Sequence, residues 1–167
     1  MSENDLRRRI RLGVIGGARP APRFEDIARD VGRRIAEAGA ILICGGLGGV
    51  MQAAARGARE AGGLTIGILP GLQPDEANPF IDIPVATGIG YARNAAVAMN
   101  ADALIAVDGE FGTLSEIAFG RIYGKPVVGI ETWDIPGVEP AADPAEAVEK
   151  ALRFLRAGTA GPRRGRK

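Results

Sequence analysis

Ala40-Ile41-Leu42-Ile43-Cys44-Gly45-Gly46-Leu47-Gly48-Gly49-Val50-Met51 decides the fold. Five apolar residues in a row, Ala40 to Cys44, lack the polar alternation of a strand with one wet face. They predict a strand buried on both sides. The glycines around Leu47 stop it at once, and Val50 to Ala61 reads as a helix that Gly62-Gly63 ends. Buried strand, glycine turn and helix make up the first part of a βαβ unit, the building block of a parallel sheet.

The same pattern repeats outward. Upstream, Ile10 to Ile15 predicts a strand that ends in Gly16-Gly17. Phe24, Ile27, Ala28, Val31 and Ile35 then recur at helical spacing, up to Gly39. Downstream, strands are predicted at Leu64–Leu69, more weakly at Phe80–Val85, then at Ala103–Val107 and Pro126–Ile130. Helices are predicted at Tyr91–Asn100, Thr113–Tyr123 and Asp143–Ala157. This alternation predicts an α/β fold with a three-layer, doubly wound, Rossmann-like parallel sheet and right-handed crossovers. One domain is expected over residues 10–157. A flexible segment 1–9 precedes it, and a basic disordered tail 158–167 follows.

The 167 residues suffice for one hydrophobic core. Cys44 is the only cysteine and histidine is absent, which rules out an intrachain disulfide, an imidazole-based zinc site and a histidine base. No metal site is expected. The chemistry left is that of carboxylates, arginines, hydroxyls and backbone amides. The net charge of +1 divides into +2 over residues 1–11, +4 over 163–167 and −5 between them. Such a body does not suit a nucleic-acid groove, so nucleic acid is not expected as a partner. No signal-peptide pattern or bilayer-length apolar run occurs, so a cytoplasmic, non-membrane protein is expected.

Ligands of such sheets sit outside the carboxyl ends of the strands. Gly16, Gly17, Gly45, Gly46, Gly48, Gly49, Gly71, Gly109 and Gly112 collect at those ends. Backbone amides there approach an anion closely, and the following helix N-termini favour negative charge. One glycine pair alone is an ordinary turn; four clusters on one edge point to a phosphate-bearing ligand. The familiar alternatives are missing. There is no G-x-x-x-x-G-K-[ST], and Gly46-Leu47-Gly48 lacks the third glycine of a dinucleotide fingerprint. Lys125, Lys150 and Lys167 are poorly placed for a Schiff base.

Three segments carry a resemblance. They are Cys44 to Met51, Gly90-Tyr91-Ala92-Arg93-Asn94, and Gly109-Glu110-Phe111-Gly112-Thr113-Leu114-Ser115-Glu116. Together they resemble the LOG (LONELY GUY) family of Rossmann-like proteins, once mislabelled lysine decarboxylases. Within it the chain looks closest to a small bacterial branch of nucleotide-binding proteins whose relatives include molybdenum cofactor carriers. The resemblance implies a homodimer. It also implies cleavage of the N-glycosidic bond of nucleoside 5′-monophosphates to base and ribose 5-phosphate, with no cofactor required.

The family motif reads P-G-G-x-G-T-x-x-E. By that match Gly109, Gly112 and Thr113 would hold phosphate, while Arg93 and Glu116 would be the catalytic pair. A carboxylate near C1′ steadies oxocarbenium charge or activates water, and an arginine orients it. Met51, Thr87 and Asn94 complete the candidate ligand-binding set. Two departures stand out: Asp108 replaces the motif proline and Glu110 its second glycine. A carboxylate at 110 repels phosphate unless it faces solvent or a cation. A second function therefore stays open, a non-catalytic carrier or sensor for molybdenum cofactor or another phosphorylated pterin or nucleotide. Thr113-Leu114-Ser115-Glu116 also fits a helix capping box, which would give both residues a purely structural role. Trp133 is expected to pack or to make a dimer contact after the last strand.

Overall fold

The structure is a computed structural model and describes residues 9–159. Seven strands form one parallel sheet: β1 (Arg11–Gly16), β2 (Ile41–Cys44), β3 (Thr65–Leu69), β4 (Ile83–Ala86), β5 (Ala103–Val107), β6 (Val127–Ile130) and β7 (Val138–Pro140). Five helices flank it: α1 (Pro22–Glu37), α2 (Val50–Glu60), α3 (Arg93–Asn100), α4 (Phe111–Ile122) and α5 (Pro144–Thr159). The expected Rossmann-like α/β architecture is present. Pro22 occupies the first turn of α1, where its missing N–H costs no helical bond.

The strand order is β4-β3-β2-β1-β5-β6-β7. It reverses direction of growth at β1, whose neighbours are β2 on one side and β5 on the other. Gly16 pairs in register with Val107, so the turns that leave β1 and β5 emerge side by side. A crevice opens at that switch point.

The strand interiors are apolar on both faces, and each face has its own core. Leu12, Val14, Leu42 and Ile105 pack against α1, α2 and α5 through Phe24, Val31, Ile35, Ala54 and Ala147. Ile15, Ile43, Leu104 and Ala106 pack against α3 and α4 through Val97, Ala98 and Ile117. α1 and α2 touch backbone to backbone. A Cβ added at Gly32 would lie 1.9 Å from the Ala54 carbonyl oxygen, and one at Gly57 would lie 1.9 Å from that of Arg29. Gly32→Val is therefore expected to force the helices apart and lower stability by about 2–3 kcal/mol, read as a fall in the urea midpoint.

Several details differ from the sequence reading: the fourth strand runs Ile83–Ala86 rather than from Phe80, and the helix expected from Tyr91 starts at Arg93 after a 3-10 turn. β7 was not anticipated, because it has three residues, ends in Pro140 and lies at the sheet edge, where proline is tolerated. The helix expected from Thr113 begins two residues earlier, at Phe111. Gly158 and Thr159 continue α5 rather than opening the tail expected at 158–167; residues 1–8 of the segment expected to be flexible at 1–9, and residues 160–167 of that tail, lie outside the described residues. No helix among the described residues is long and apolar enough to cross a membrane.

Candidate functional site

A cleft of about 500 Å³ opens above β1 and β5. Three helices begin at it: α2 behind the Gly45–Gly49 loop, α3 at Arg93 and α4 at Phe111. The first-turn amides of a helix have no intrahelical acceptor and carry its positive dipole end. Gly49 and Glu110, the residues that precede α2 and α4, give no side-chain cap. The Val50 amide donates to the Gly17 carbonyl at 3.1 Å; the next amides of these first turns are suited to an anionic guest.

Of the residues singled out in the sequence, Gly16, Gly17, Met51, Arg93, Asn94, Gly112, Thr113 and Glu116 all line this cleft. Gly45 sits just beneath: a Cβ there would meet Arg93 Nη2 at 2.5 Å, so the bare backbone makes room for the guanidinium. Gly46, Gly48, Gly49 and Gly109 shape the surrounding turns without lining the cleft. Thr87 is elsewhere occupied, donating through Oγ1 to the Leu69 carbonyl at 2.6 Å. Tyr91, Phe111 and Ser115 also line the cleft and carried no assignment from sequence. They fell inside the quoted motifs, but at positions the motif leaves open.

Arg93 and Glu116 meet there, 7% and 5% exposed, with Arg93 Nη1 3.6 Å from Glu116 Oε1. Arg93 Nη1 donates to Asn94 Oδ1, and Nη2 donates to the Gly45 carbonyl at 3.4 Å. Asn94 Nδ2 donates to Ser115 Oγ at 2.9 Å, and Ser115 Oγ donates to the Gly112 carbonyl at 2.6 Å. A chain of hydrogen bonds thus runs from the end of β2 to the first turn of α4. The Arg93 Nε is buried with no acceptor. A buried donor left unpaired is costly and points to a function.

Burial drives the Glu116 carboxyl up to about 8, and the positive charge of Arg93 offsets only part of that rise. At 3.6 Å the pair is too long for a strong hydrogen bond. Both features favour the protonated form of Glu116. Cys44 is fully buried, its thiol pushed up to about 12 by desolvation, and it accepts a hydrogen bond from the Gly46 amide at 3.4 Å. It is an inert strand-end residue. The capping-box reading fails. Glu110 is the residue that precedes α4, Thr113 lies inside the helix 2% exposed, and Glu116 turns into the cleft beside Arg93.

The departures from the motif have a backbone consequence. Asp108 has φ 53° and Gly109 φ 131°. The ring of a proline holds φ near −65°, so the motif proline cannot follow this path. The turn is held by Asp108 N, which donates to the Ile130 carbonyl at 3.1 Å. Thr132 Oγ1 also donates to the Asp108 carbonyl at 2.5 Å. Asp108→Pro is expected to lose that amide bond and clash with the native φ. The cost should be about 3 kcal/mol, seen as a lower thermal midpoint. Glu110 is exposed at the rim of the cleft, away from its buried floor.

Residues 9–156 match the SLOG cluster4 family. An uncharacterised protein of Archaeoglobus fulgidus is 45% identical over 144 residues, 86% of this chain and 95% of its own length. The cytokinin riboside 5′-monophosphate phosphoribohydrolase of Mycobacterium tuberculosis is 31% identical over 118 residues, and the match spans 63% of that enzyme and 65% of this chain. Among solved structures, the molybdenum cofactor binding protein from Rippkaea orientalis superposes with a TM-score of 0.84 at 33% identity, over 89% of this chain and 98% of that one. The Moco carrier protein from Chlamydomonas reinhardtii gives 0.81 at 38% identity, over 90% and 99%.

Proposed function

The chain belongs to the SLOG cluster4 family, and from that premise we propose that it is a carrier holding an intact phosphorylated heterocycle, such as molybdenum cofactor or a nucleotide, in the cleft between β1 and β5. The observation that carries this reading is the end-to-end likeness to two molybdenum cofactor proteins, 33% and 38% identical over 98% and 99% of their chains. Burial raises the Glu116 carboxyl and so weakens it as a base for water or as an anion for oxocarbenium charge. The turn at Asp108, which a proline of the hydrolase motif could not follow, supports the same choice.

The first-turn amides of α2 and α4, with Arg93, would receive the phosphate, and Gly112 leaves them open to it. A Cβ at Gly112 would meet only Asn94 Nδ2, at 3.8 Å. The described residues offer little to hold a metal directly. Cys44 is fully buried, and the described residues contain no group of three metal-ligating His, Cys, Asp or Glu side chains. Metal would enter as part of the cargo.

One observation favours hydrolysis instead: Arg93 and Glu116 do converge, and a protonated glutamate suits protonation of a leaving base. Mass spectrometry of native protein, followed by incubation with nucleoside 5′-monophosphates, separates the two. Stoichiometric intact ligand with no base released supports the carrier. Release of base and ribose 5-phosphate, abolished by Glu116→Gln, overturns it.

A homodimer completes the proposal. Ile83 and Val85 point to one side of the edge strand β4, 44% and 39% exposed. Met99 on α3 and Ile89 before it are exposed as well. A patch of this kind is a normal subunit contact.

A further inference from the structure

The two most exposed large apolar side chains among the described residues are both in the cleft: Tyr91, 86% exposed, and Phe111, 80%. Solvating bare aromatic rings is unfavourable, and such rings in a cleft normally meet a partner. Phe111 is not a loose ring. Trp133 lies beside it with ring centroids 5.9 Å apart and planes tilted by 37°. The indole Nε1 in turn donates to the Glu110 carbonyl at 3.3 Å, one residue from Phe111. The loop after β6 therefore braces the start of α4, and Phe111 presents a supported face.

Phe111 is also the first residue of α4, the helix whose N-terminal amides meet the cleft. Anion site and aromatic surface are contiguous in the chain. Tyr91 reaches the same cleft from the short 3-10 turn at Gly90–Ala92, just ahead of Arg93.

We propose that Phe111, braced by Trp133, and Tyr91 form a stacking site for the planar bicyclic ring of the phosphorylated ligand, a purine or a pterin. This rests on the phosphate-ligand reading above and deepens it. Phosphate affinity comes from helix N-termini and Arg93, whereas the preference for one ligand over a plain sugar phosphate comes from the two rings.

The test uses the full-length protein and calorimetric titration with guanosine 5′-monophosphate, neopterin monophosphate and ribose 5-phosphate. Emission of Trp133, the only tryptophan, serves as a second readout. At least one ring-bearing ligand should bind about tenfold more tightly than ribose 5-phosphate and perturb the emission. Whether purine or pterin binds tighter names the source of the ring. Phe111→Ala should erase that preference while ribose 5-phosphate affinity changes less than twofold, and Phe111→Trp should keep it. An unchanged ratio in Phe111→Ala, or an altered assembly state with unaltered binding, overturns the stacking site and leaves the phosphate reading intact. No binding of any of the three to the native protein overturns both.

Discussion

Glu116→Gln is expected to make the protein more stable than the native chain at pH 8 and above, and indistinguishable from it below about pH 4.5. The glutamate titrates near 4.5 when unfolded, and burial raises it to about 8 in the folded chain. Below the lower value both states hold the proton, and the folded state is not penalised. Between the two, the unfolded chain releases the proton while the folded chain keeps it, so native stability falls as pH rises. Above about 8 the loss is complete, with an upper bound of about 5 kcal/mol. Glutamine has the same shape and no proton to lose, so the difference between variant and native chain isolates this one group. Chemical denaturation at pH 5, 7 and 9 measures it. A gap between the two proteins that does not widen with pH refutes the assignment. Ligand binding should follow the same titration: a phosphate dianion beside Glu116 favours the protonated carboxyl, so affinity should weaken above pH 8.

Arg93→Met is expected to have the largest effect on binding. The guanidinium donates to Asn94 and to the Gly45 carbonyl, lies beside Glu116, and retains a buried Nε without an acceptor. Methionine fills part of the volume but supplies none of these donors. Affinity for a nucleoside 5′-monophosphate should fall at least about 100-fold, the usual scale for removing one partner of a buried charged contact. Stability should fall by about 2 kcal/mol as Asn94 Oδ1 and Gly45 O lose their donor. Arg93→Lys should recover charge but not the planar fork, and so only part of the affinity. Equal binding by all three proteins would remove Arg93 from the site.

Much of this arrangement was legible before any coordinates. The unbroken apolar runs at Ile41–Cys44 and Ala103–Val107 are strands buried on both faces. The glycines after them are the turns beneath the cleft. Arg93, Asn94, Thr113 and Glu116 were drawn from two separated segments, and the fold brings them together. Less legible were features that depend on a distant neighbour. Thr113 and Glu116 spell a capping box when read locally, yet α4 begins two residues before Thr113, and Glu116 turns toward Arg93 in another helix. Phe111 is an unremarked motif position until Trp133, 22 residues further on, is seen to brace it.

The sequence by itself determined the parallel α/β class, the order of its elements and the edge where glycine-rich turns collect. These follow from local properties, namely apolar periodicity and glycine at strand ends, which each segment carries alone. Only the tertiary structure decided that β5 lies beside β1, that Asp108 turns with φ 53°, and that Arg93 and Glu116 lie side by side, buried, in one cleft. Such facts belong to pairs of segments far apart in the chain. The contact between Arg11 and Asp102 at the other end of β1, where Asp102 accepts from the Arg11 amide at 2.8 Å, joins residues 91 positions apart. Periodicity records which face of a segment is buried; what covers that face, and what charge waits there, is set by strand order.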